Sequence, residues 1–335
     1  MSHKPELLAP SGSMKTLIAA VESGADAVYL GAGKFSARAY AANFDGSELN
    51  KAIEYAAAKN VKVHLAVNTL MTDRELPDAL NLVTQAQSAG AAAFIIQDLG
   101  LACLIKERQP SAILHASTQM TAHTLEDVNI LGKLGFTRVV LARELSKDQL
   151  THIVANTKVE LEVFVHGALC SAYSGQCLIS SFIGGRSANR GKCAQPCRLP
   201  YAAVSKTPIK TTTTTKTLNK TSSKTLNKSP VNKVHNPVYQ SGVLLSLKDL
   251  CLIDYIHELA KIGITSLKIE GRMKGEDYVR AVVSTYRAVL DGKKLSDKQK
   301  SKMLAVFDRG GYTDGYYTGN KANMYMQKLK NPYNH

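Results

Sequence analysis

The sequence predicts an α/β protein built as a (β/α)8 TIM-type barrel, with a cysteine-rich excursion between its seventh and eighth strands. Eight short runs rich in β-branched and other apolar residues recur along the chain, and stretches of helical periodicity separate most of them. Because each run is almost continuously apolar, the strands are expected to be parallel and covered on both faces. Eight such strands close a barrel, and 335 residues are enough to build it.

The predicted strands are short and end close to glycine, asparagine or charged residues. They are Glu6–Ala9, Ala27–Leu30, Val61–Val67, Ala93–Gln97, Ile113–Ala116, Arg138–Leu141, Leu161–Val165 and Ser266–Ile269. The amphipathic helical patterns are Ser13–Ser23, Gly46–Lys59, Leu76–Ser88, Thr124–Leu134, Lys147–Asn156 and Asp277–Leu290. An open doubly wound sheet is the alternative, but the turn after the first strand, residues 9–13, lacks the G-x-G-x-x-G pattern of dinucleotide-binding folds.

We divide the chain into one barrel domain with an internal excursion. Residues 1–167 supply strands one to seven, 168–200 form a cysteine-rich loop, 201–242 form a basic low-complexity insertion, and 243–335 supply the last barrel unit and a tail. The insertion holds five consecutive threonines and repeats Lys-Thr-Leu-Asn-Lys at 216–220 and 224–228, so we predict a disordered, solvated segment within a hairpin. A basic arm that gathers RNA is the alternative. A helix is expected over Leu250–Ala260.

The chain is strongly basic, with a formal charge of +15. Seven lysines of the insertion account for part of this charge, and the remainder of the chain keeps +8. Such a balance suits a polyanionic partner such as RNA, although mild basicity is also common without a specific reason. No run of 18 apolar residues and no signal-peptide pattern occurs, so no membrane partner and a cytoplasmic location are expected.

Several polar residues stand at the carboxyl ends of the predicted strands, where barrels of this type carry their active sites. The candidates for catalysis are Asp98, His115, His166, Glu270 and Arg272. Each has a structural alternative, since His166 could be a core histidine and Glu270 with Arg272 could form an ion pair that ties the barrel shut. The convergence of several such residues is what favours a pocket.

Four cysteines follow the seventh strand within 28 residues: Cys170, Cys177, Cys193 and Cys197. Disulfides are disfavoured in the cytosol, and thiolates are soft ligands, so the set predicts a 4Fe-4S cluster or a structural zinc ion. The spacing lacks the paired CxxC knuckles of a zinc ribbon, and four unligated cysteines are the remaining alternative. Cys103 is expected in the core, whereas Cys251 could be core or a fifth thiol near the cluster.

Glycines and cations are dense in residues 184–192, which offer backbone N–H groups and three positive charges to a phosphate or polyanion. A glycine-shaped turn with solvated cations is the structural alternative.

The motifs together resemble the peptidase U32 family, which is named for collagenase-like proteolysis. The matching segments, in order, are residues 6–12, 24–29, 166–170, 173–177, 185–191, 193–198 and 266–272. The resemblance extends from residue 6 to about 334 and excludes the insertion. Within the family, the 185–191 and 193–198 segments are most similar to enzymes that hydroxylate a cytidine in 23S rRNA.

The resemblance implies O2-independent hydroxylation of a pyrimidine in RNA, with rRNA cytidine favoured over tRNA uridine. It implies that the four cysteines ligate a 4Fe-4S cluster, which iron–sulfur assembly machinery would supply, and that prephenate is a source of the hydroxyl oxygen. Arg186, Arg190 and Arg198 would then contact RNA phosphates, and His166, Glu270 and Arg272 would shape the pocket or move protons.

Two alternatives remain: a U32 peptidase, and a non-catalytic, cluster-bearing partner of a larger enzyme. The sequence has no H-E-x-x-H or G-x-S-x-G motif to support proteolysis. Longer family members carry further C-terminal domains that are expected to help hold RNA.

Overall fold

The structure, a computed structural model, describes residues 4–33, 35–38, 43–204 and 238–327. The strands in this part of the chain are β1 (Glu6–Pro10), β2 (Ala27–Gly31), β3 (Lys62–Val67), β4 (Ala93–Ile96), β5 (Leu114–Ala116), β6 (Phe136–Val140), β7 (Glu160–Gly167), β8 (Tyr201–Val204), β9 (Val238–Gly242), β10 (Asp249–Cys251), β11 (Ser266–Ile269) and β12 (Tyr312–Thr313). The α-helices are α1 (Met14–Glu22), α2 (Gly46–Ala57), α3 (Leu76–Ser88), α4 (Leu99–Arg108), α5 (Leu125–Lys133), α6 (Lys147–Asn156), α7 (Ile179–Gly184), α8 (Ile256–Ile262), α9 (Glu276–Leu290), α10 (Asp297–Ala305) and α11 (Gly315–Thr318).

Eight parallel strands close into a barrel, as the sequence predicts. Strands β1 to β7 pair in chain order, and β11 completes the barrel by pairing with both β7 and β1. In the closing register Ser266 lies opposite Glu6 on one side and Glu162 on the other. The prediction of a (β/α)8 barrel is therefore confirmed.

The helices begin where the sequence supplies capping side chains. Ser13, Asp45, Thr124 and Ser146 each accept a hydrogen bond from a backbone N–H of the following turn, so the first orphan donors of these helices are satisfied. The long helix α9 buries one face, which carries tyrosines and valines, and packs against α1 and β1. Each cap marks the start of a helix, so the chain between the preceding strand and the cap forms a loop at the rim of the barrel.

The inside of the barrel carries a compensated charge layer. The Glu162 carboxylate is fully buried, accepts a hydrogen bond of 2.8 Å from Lys268 Nζ, and lies 3.4 Å from Arg138 Nη1. Burial raises the pKa of the Glu162 carboxyl, but Lys268 and Arg138 together lower it to about 2. The carboxylate is therefore ionised at neutral pH and neutralises the cations around it.

The region after β7 differs from the prediction at residues 249–251. The expected helix over Leu250–Ala260 begins only with a 3-10 turn at Ile253–Tyr255 and the helix α8. Residues 249–251 instead form β10, in which Leu250 pairs antiparallel with Gly167 and Cys251 with His166. The short apolar run is a strand because it pairs with the end of β7, a long-range contact that helical periodicity does not report.

Only the two ends of the basic insertion lie in the described part of the chain. Strands β8 and β9 pair antiparallel, with Tyr201 opposite Gly242. Residues 205–237 lie outside the described residues, and the predictions of a disordered segment or a basic arm fall there. Within the described ranges, every helix is too short or too polar to cross a membrane.

Candidate functional site

A cavity of about 410 Å³ opens at the carboxyl end of the barrel. Its floor is formed by side chains from the ends of the barrel strands, including Tyr29, Ala66, Ile95, Phe164 and Lys268. Residues 168–200, here called the cysteine cap, cover one side of it. The cavity lies where barrel enzymes of this type place their chemistry.

The cap approaches the barrel closely at Gly175. This residue has a φ of 80°, and a Cβ atom built there would lie 2.2 Å from the carbonyl oxygen of Gln119, just beyond β5. Only glycine fits both the left-handed backbone and this contact. Gly175 therefore allows the cap to approach the rim of the barrel closely.

All four predicted cluster cysteines line the cavity: Cys170, Cys177, Cys193 and Cys197. Cys170 is exposed and the other three are partly buried. Burial raises the pKa of the Cys193 thiol, and the neighbouring Cys170 and Cys197 raise it further. Four soft donors that line one cavity fit an iron–sulfur cluster in donor chemistry. Within the described residues, however, no group of three or more His, Cys, Asp or Glu side chains is positioned so that it could hold a metal ion.

The other two cysteines lie away from the cavity lining. Cys251 is partly buried, and its Sγ lies 3.9 Å from the Tyr286 hydroxyl. Cys103 is exposed on α4, so the expectation of a core position is wrong, because the buried face of that helix is formed by Leu101, Ala102 and Ile105.

Glu270 is the centre of a polar group in the cavity wall. Its carboxylate accepts hydrogen bonds from Arg38 Nη2 at 2.8 Å and from the Tyr29 hydroxyl at 3.2 Å. Burial raises the pKa of the Glu270 carboxyl, but Arg38, Arg143 and Arg272 lower it to about 2. Glu270 is therefore an ionised acceptor at neutral pH and not a proton donor.

The cavity carries far more positive than negative charge. Among its described lining residues the cations are Arg38, Arg143, Arg198, Lys268, Arg272, Lys274 and Arg309, and the one carboxylate is Glu270. Arg143 stacks on the ring of Phe164, with Cζ 4.4 Å from the ring centroid, and its buried Nε has no hydrogen-bond partner in the described structure. Burial lowers the pKa of the Lys274 ammonium to about 8. This arrangement attracts an anion and leaves Arg143 able to bind one.

The structure brings two of the five predicted catalytic residues to the cavity. Glu270 and Arg272 line it, and Arg272 donates to the Ser36 hydroxyl. Asp98 lies elsewhere and caps α4 by accepting from Leu101 N at 2.9 Å. His115 is buried deeper in the barrel, where its ring meets His64 edge-on at 4.9 Å.

His166 also lies outside the cavity lining. The register between β7 and β11 shifts beside it, and its ring packs among Tyr278, Tyr286 and Tyr312. Its Nδ1 lies 3.2 Å from the Tyr286 hydroxyl, and burial lowers its pKa to about 3. A buried, neutral histidine behind the strand matches the structural alternative given for this residue.

The three arginines predicted to contact RNA have different surroundings. Arg190 forms a bidentate ion pair with Glu75, with N–O distances of 2.9 and 2.6 Å, and Arg198 donates to the Leu169 and Leu247 carbonyls and to Ser246 Oγ. Arg186 donates to the Lys192 carbonyl at 3.1 Å. Arg190 and Arg198 therefore fasten the cap to the barrel region, a role that the glycine-rich motif did not reveal.

Sequence reasoning missed three cations of the cavity, Arg38, Lys274 and Arg309. Arg38 lies in the loop after β2, and this position beyond a strand's carboxyl end was the available signal. Arg309 follows α10 near the C-terminal end of the described chain and joins the cavity by long-range packing, for which the sequence holds no local signal.

A family model described as Peptidase family U32 matches residues 12–327. The chain belongs to peptidase family U32. One U32-related protein, a 23S rRNA 5-hydroxycytidine synthase of Escherichia coli, is 38 % identical over 290 residues, which cover 87 % of this chain and 40 % of that protein. A Methanocaldococcus jannaschii protein named as an uncharacterized protease is 36 % identical and covers 93 % of this chain and 72 % of its own length.

A tRNA hydroxylation protein of Bacillus subtilis is 33 % identical over 87 % of this chain and 64 % of that protein. This U32 chain thus spans less than two thirds of the length of the two RNA-modifying relatives. The solved structure of the U32 peptidase Mk0906 aligns with a TM-score of 0.43 and 14 % identity, covering 50 % of this chain and 70 % of that one.

Proposed function

We propose that this chain is an iron–sulfur-dependent, O2-independent hydroxylase that acts on a pyrimidine in RNA in the cytoplasm, with an rRNA cytidine as the favoured target. The observation that carries the proposal is the convergence of four cysteines on a cation-lined cavity at the carboxyl end of the barrel. The names of the rRNA and tRNA relatives support the reaction class.

Cys170, Cys177, Cys193 and Cys197 would hold the cluster on the cap side of the cavity. A 4Fe-4S cluster bound there, delivered by iron–sulfur assembly machinery, would supply one-electron transfer. The wall around Glu270 would bind and orient the substrate.

The residues of that wall divide their roles by protonation state. Glu270 stays ionised and holds Arg38 and the Tyr29 hydroxyl in place. The guanidinium groups of Arg143 and Arg272 would bind an anionic group of the substrate or co-substrate. Lys274 has its pKa lowered by burial to about 8, so it can exchange a proton near neutral pH.

Prephenate is the proposed source of the hydroxyl oxygen. It carries two carboxylates, and the cavity offers more cations than its single carboxylate neutralises. Arg143, with its unpartnered Nε, is the residue we assign to one of those carboxylates.

The proposal is tested by anaerobic purification of the full chain, with iron, sulfide and zinc measured beside the visible spectrum. We expect about four irons and four sulfides per chain, as a cluster ligated by four thiolates requires. Cys170→Ala should lose most of the iron, whereas Cys103→Ala, which removes an exposed thiol outside the cavity, should keep it.

Mass spectrometry of rRNA and tRNA from a deletion strain then separates the alternatives. Loss of one hydroxylated pyrimidine, restored by the wild-type gene and not by Cys170→Ala, supports the hydroxylase. Zinc or no metal in the purified chain would contradict it. A cluster without any change in RNA would favour the non-catalytic partner subunit.

A U32 peptidase is the second candidate, favoured by the family name and by the relative named as a protease. It predicts peptide cleavage by protein that carries no iron. Peptide cleavage that persists in Cys170→Ala but is lost when a cavity residue such as Glu270 is substituted would favour the peptidase over the hydroxylase.

A further inference from the structure

We infer that the outward apolar face of α7, centred on Phe182, is a stacking surface for single-stranded RNA at the mouth of the cavity. The inference rests on the proposed function, because it assigns the place where the strand next to the target base is held. Neither the family match nor the motifs assign a role to this helix.

The orientation of α7 is fixed by its polar contacts. Ser180 is buried, and its Oγ accepts a hydrogen bond of 2.9 Å from Ala194 N on the other arm of the cap. Arg186 N donates to the Ser180 carbonyl, and Gly185 ends the helix in the left-handed region with φ of 63°. The face opposite Ser180 is therefore held toward the outside.

That outer face is apolar and continuous with the cavity. Ile179 lines the cavity wall, and helical spacing puts Phe182 and Ile183 on the same side, one turn further on. The Phe182 side chain is 85 % exposed, the highest value among the large hydrophobic residues of the described chain, and Ile183 is 65 % exposed. Adjacent exposed apolar side chains beside a cavity mark a surface that a partner covers, whereas isolated ones are ordinary.

The charge of the cap indicates what covers this face. Residues 168–200 contain four cations, Arg186, Arg190, Lys192 and Arg198, and no acidic residue. A second copy of the chain would bring the same positive cap against it and repel. A polyanion with flat apolar bases satisfies both the charge and the phenylalanine ring.

The geometry also matches the demands of the reaction. A base can reach a concave cavity only after it leaves its stack, and its neighbours then need a new stacking partner outside. Phe182 lies three residues from the cavity-lining Ile179, which is about 4.5 Å along the helix axis.

The test is fluorescence anisotropy of a labelled, pyrimidine-rich single-stranded RNA with the anaerobically purified full chain. Phe182→Ala should weaken binding about 5- to 150-fold, the range for loss of one base–aromatic stack. Phe182→Tyr should retain binding, because it keeps a ring. The slope of affinity against salt should not change, because no phosphate contact is removed.

Ile130→Ala is the matched control, since Ile130 on α5 is 55 % exposed and lies outside the cavity lining. It should leave RNA affinity unchanged, and the melting temperature of every variant should match the wild type. Wild-type protein that binds no RNA would defeat the proposed function itself. Wild-type binding equal to that of Phe182→Ala would overturn only this inference.

Sedimentation velocity of the same proteins tests the other occupant. The wild type should show no self-association that Phe182→Ala abolishes. A dimer that disappears in Phe182→Ala, with RNA affinity unchanged, would assign this face to a second copy and overturn the inference.

Discussion

The barrel interior and the cavity below the cysteine cap differ in how their charged side chains are paired. Inside the barrel, Glu162 is paired with Lys268 and Arg138, so buried charges are compensated by the protein itself. Around the cavity below the cap, six lining cations besides Lys268 share one lining carboxylate, Glu270, and one of the six, Arg309, lies 3.7 Å from Asp249. The buried charges of the barrel are therefore paired within the protein, whereas the cavity wall keeps an excess of positive charge.

The two regions are also held together by different forces. The barrel buries an extended apolar cluster contributed by its strands and helices. In the cap, the buried apolar side chains are Leu169 and Pro196, and arginine hydrogen bonds to neighbouring loops do much of the holding. The cap should therefore open separately from the barrel.

The largest effect is expected from removing one partner of the buried charge layer inside the barrel. Glu162→Leu leaves Lys268 without its carboxylate and should lower the free energy of unfolding by about 3–5 kcal/mol, measured by urea denaturation. Glu160→Ala, which removes a half-exposed partner of the same Arg138, should cost less than about 1 kcal/mol. Equal effects of the two variants would show that the buried layer is not special. Removing Lys268 together with Glu162 should recover much of the loss.

A smaller effect, confined to the cap, should follow from Arg198→Met. This substitution removes hydrogen bonds from a charged donor to Leu169 O (2.6 Å), Ser246 Oγ (2.7 Å) and Leu247 O, and should lower the free energy of opening the cap by about 1.5–3 kcal/mol. Hydrogen exchange in residues 168–200 should accelerate at least about tenfold, while protection of the barrel strands stays unchanged.

Arg190→Met should accelerate exchange in the cap in the same direction as Arg198→Met, because its bidentate ion pair with Glu75 also fastens the cap, but by less, because that pair is partly exposed. Faster exchange in the barrel strands of Arg198→Met would contradict the separation of the two regions.

The smallest effect is a pH dependence confined to the barrel. Burial lowers the pKa of His64 to about 3, below the ordinary value of 6.5 that applies in the unfolded chain. The unfolded state therefore binds the extra proton, and stability is lost as pH falls from 6.5 toward 3, by about 1.4 kcal/mol per pH unit for this group. Urea titrations between pH 6.5 and 5 should show a shallower slope for His64→Leu than for the wild type. Equal slopes of unfolding free energy against pH for the two proteins would contradict the assignment of this pH dependence to His64.

The sequence predicted the barrel well because its signals are local and repeated. Each strand is a short β-branched run, and caps such as Ser13 and Thr124 mark the helix starts within a residue or two. The segment at Asp249–Cys251 escaped because its partner, the end of β7, lies more than 80 residues away in the chain. Patterns within a window of ten residues do not report such pairing.

The candidate site was predicted unevenly for the same reason. Spacing alone placed the four cysteines on one loop, and position after the last strand placed Glu270 and Arg272 at the cavity. The sequence did not show that His166, beside a register shift, lies outside the cavity lining. Nor did it show that Arg198 donates its hydrogen bonds to backbone carbonyls. Side-chain direction at a bulge and the partners of a long arginine depend on tertiary packing.

The hairpin of β8 and β9 has a consequence for how this chain can be remodelled. Its paired strands hold Val204 and Val238 together, so the segment between them begins and ends at neighbouring points outside the barrel closure. The entropy of closing such a loop grows only logarithmically, by about 0.6 kcal/mol for each doubling of length. The hairpin is therefore a suitable insertion point. A tag, a reporter or a tight two-residue turn can replace the segment while the cavity keeps its shape.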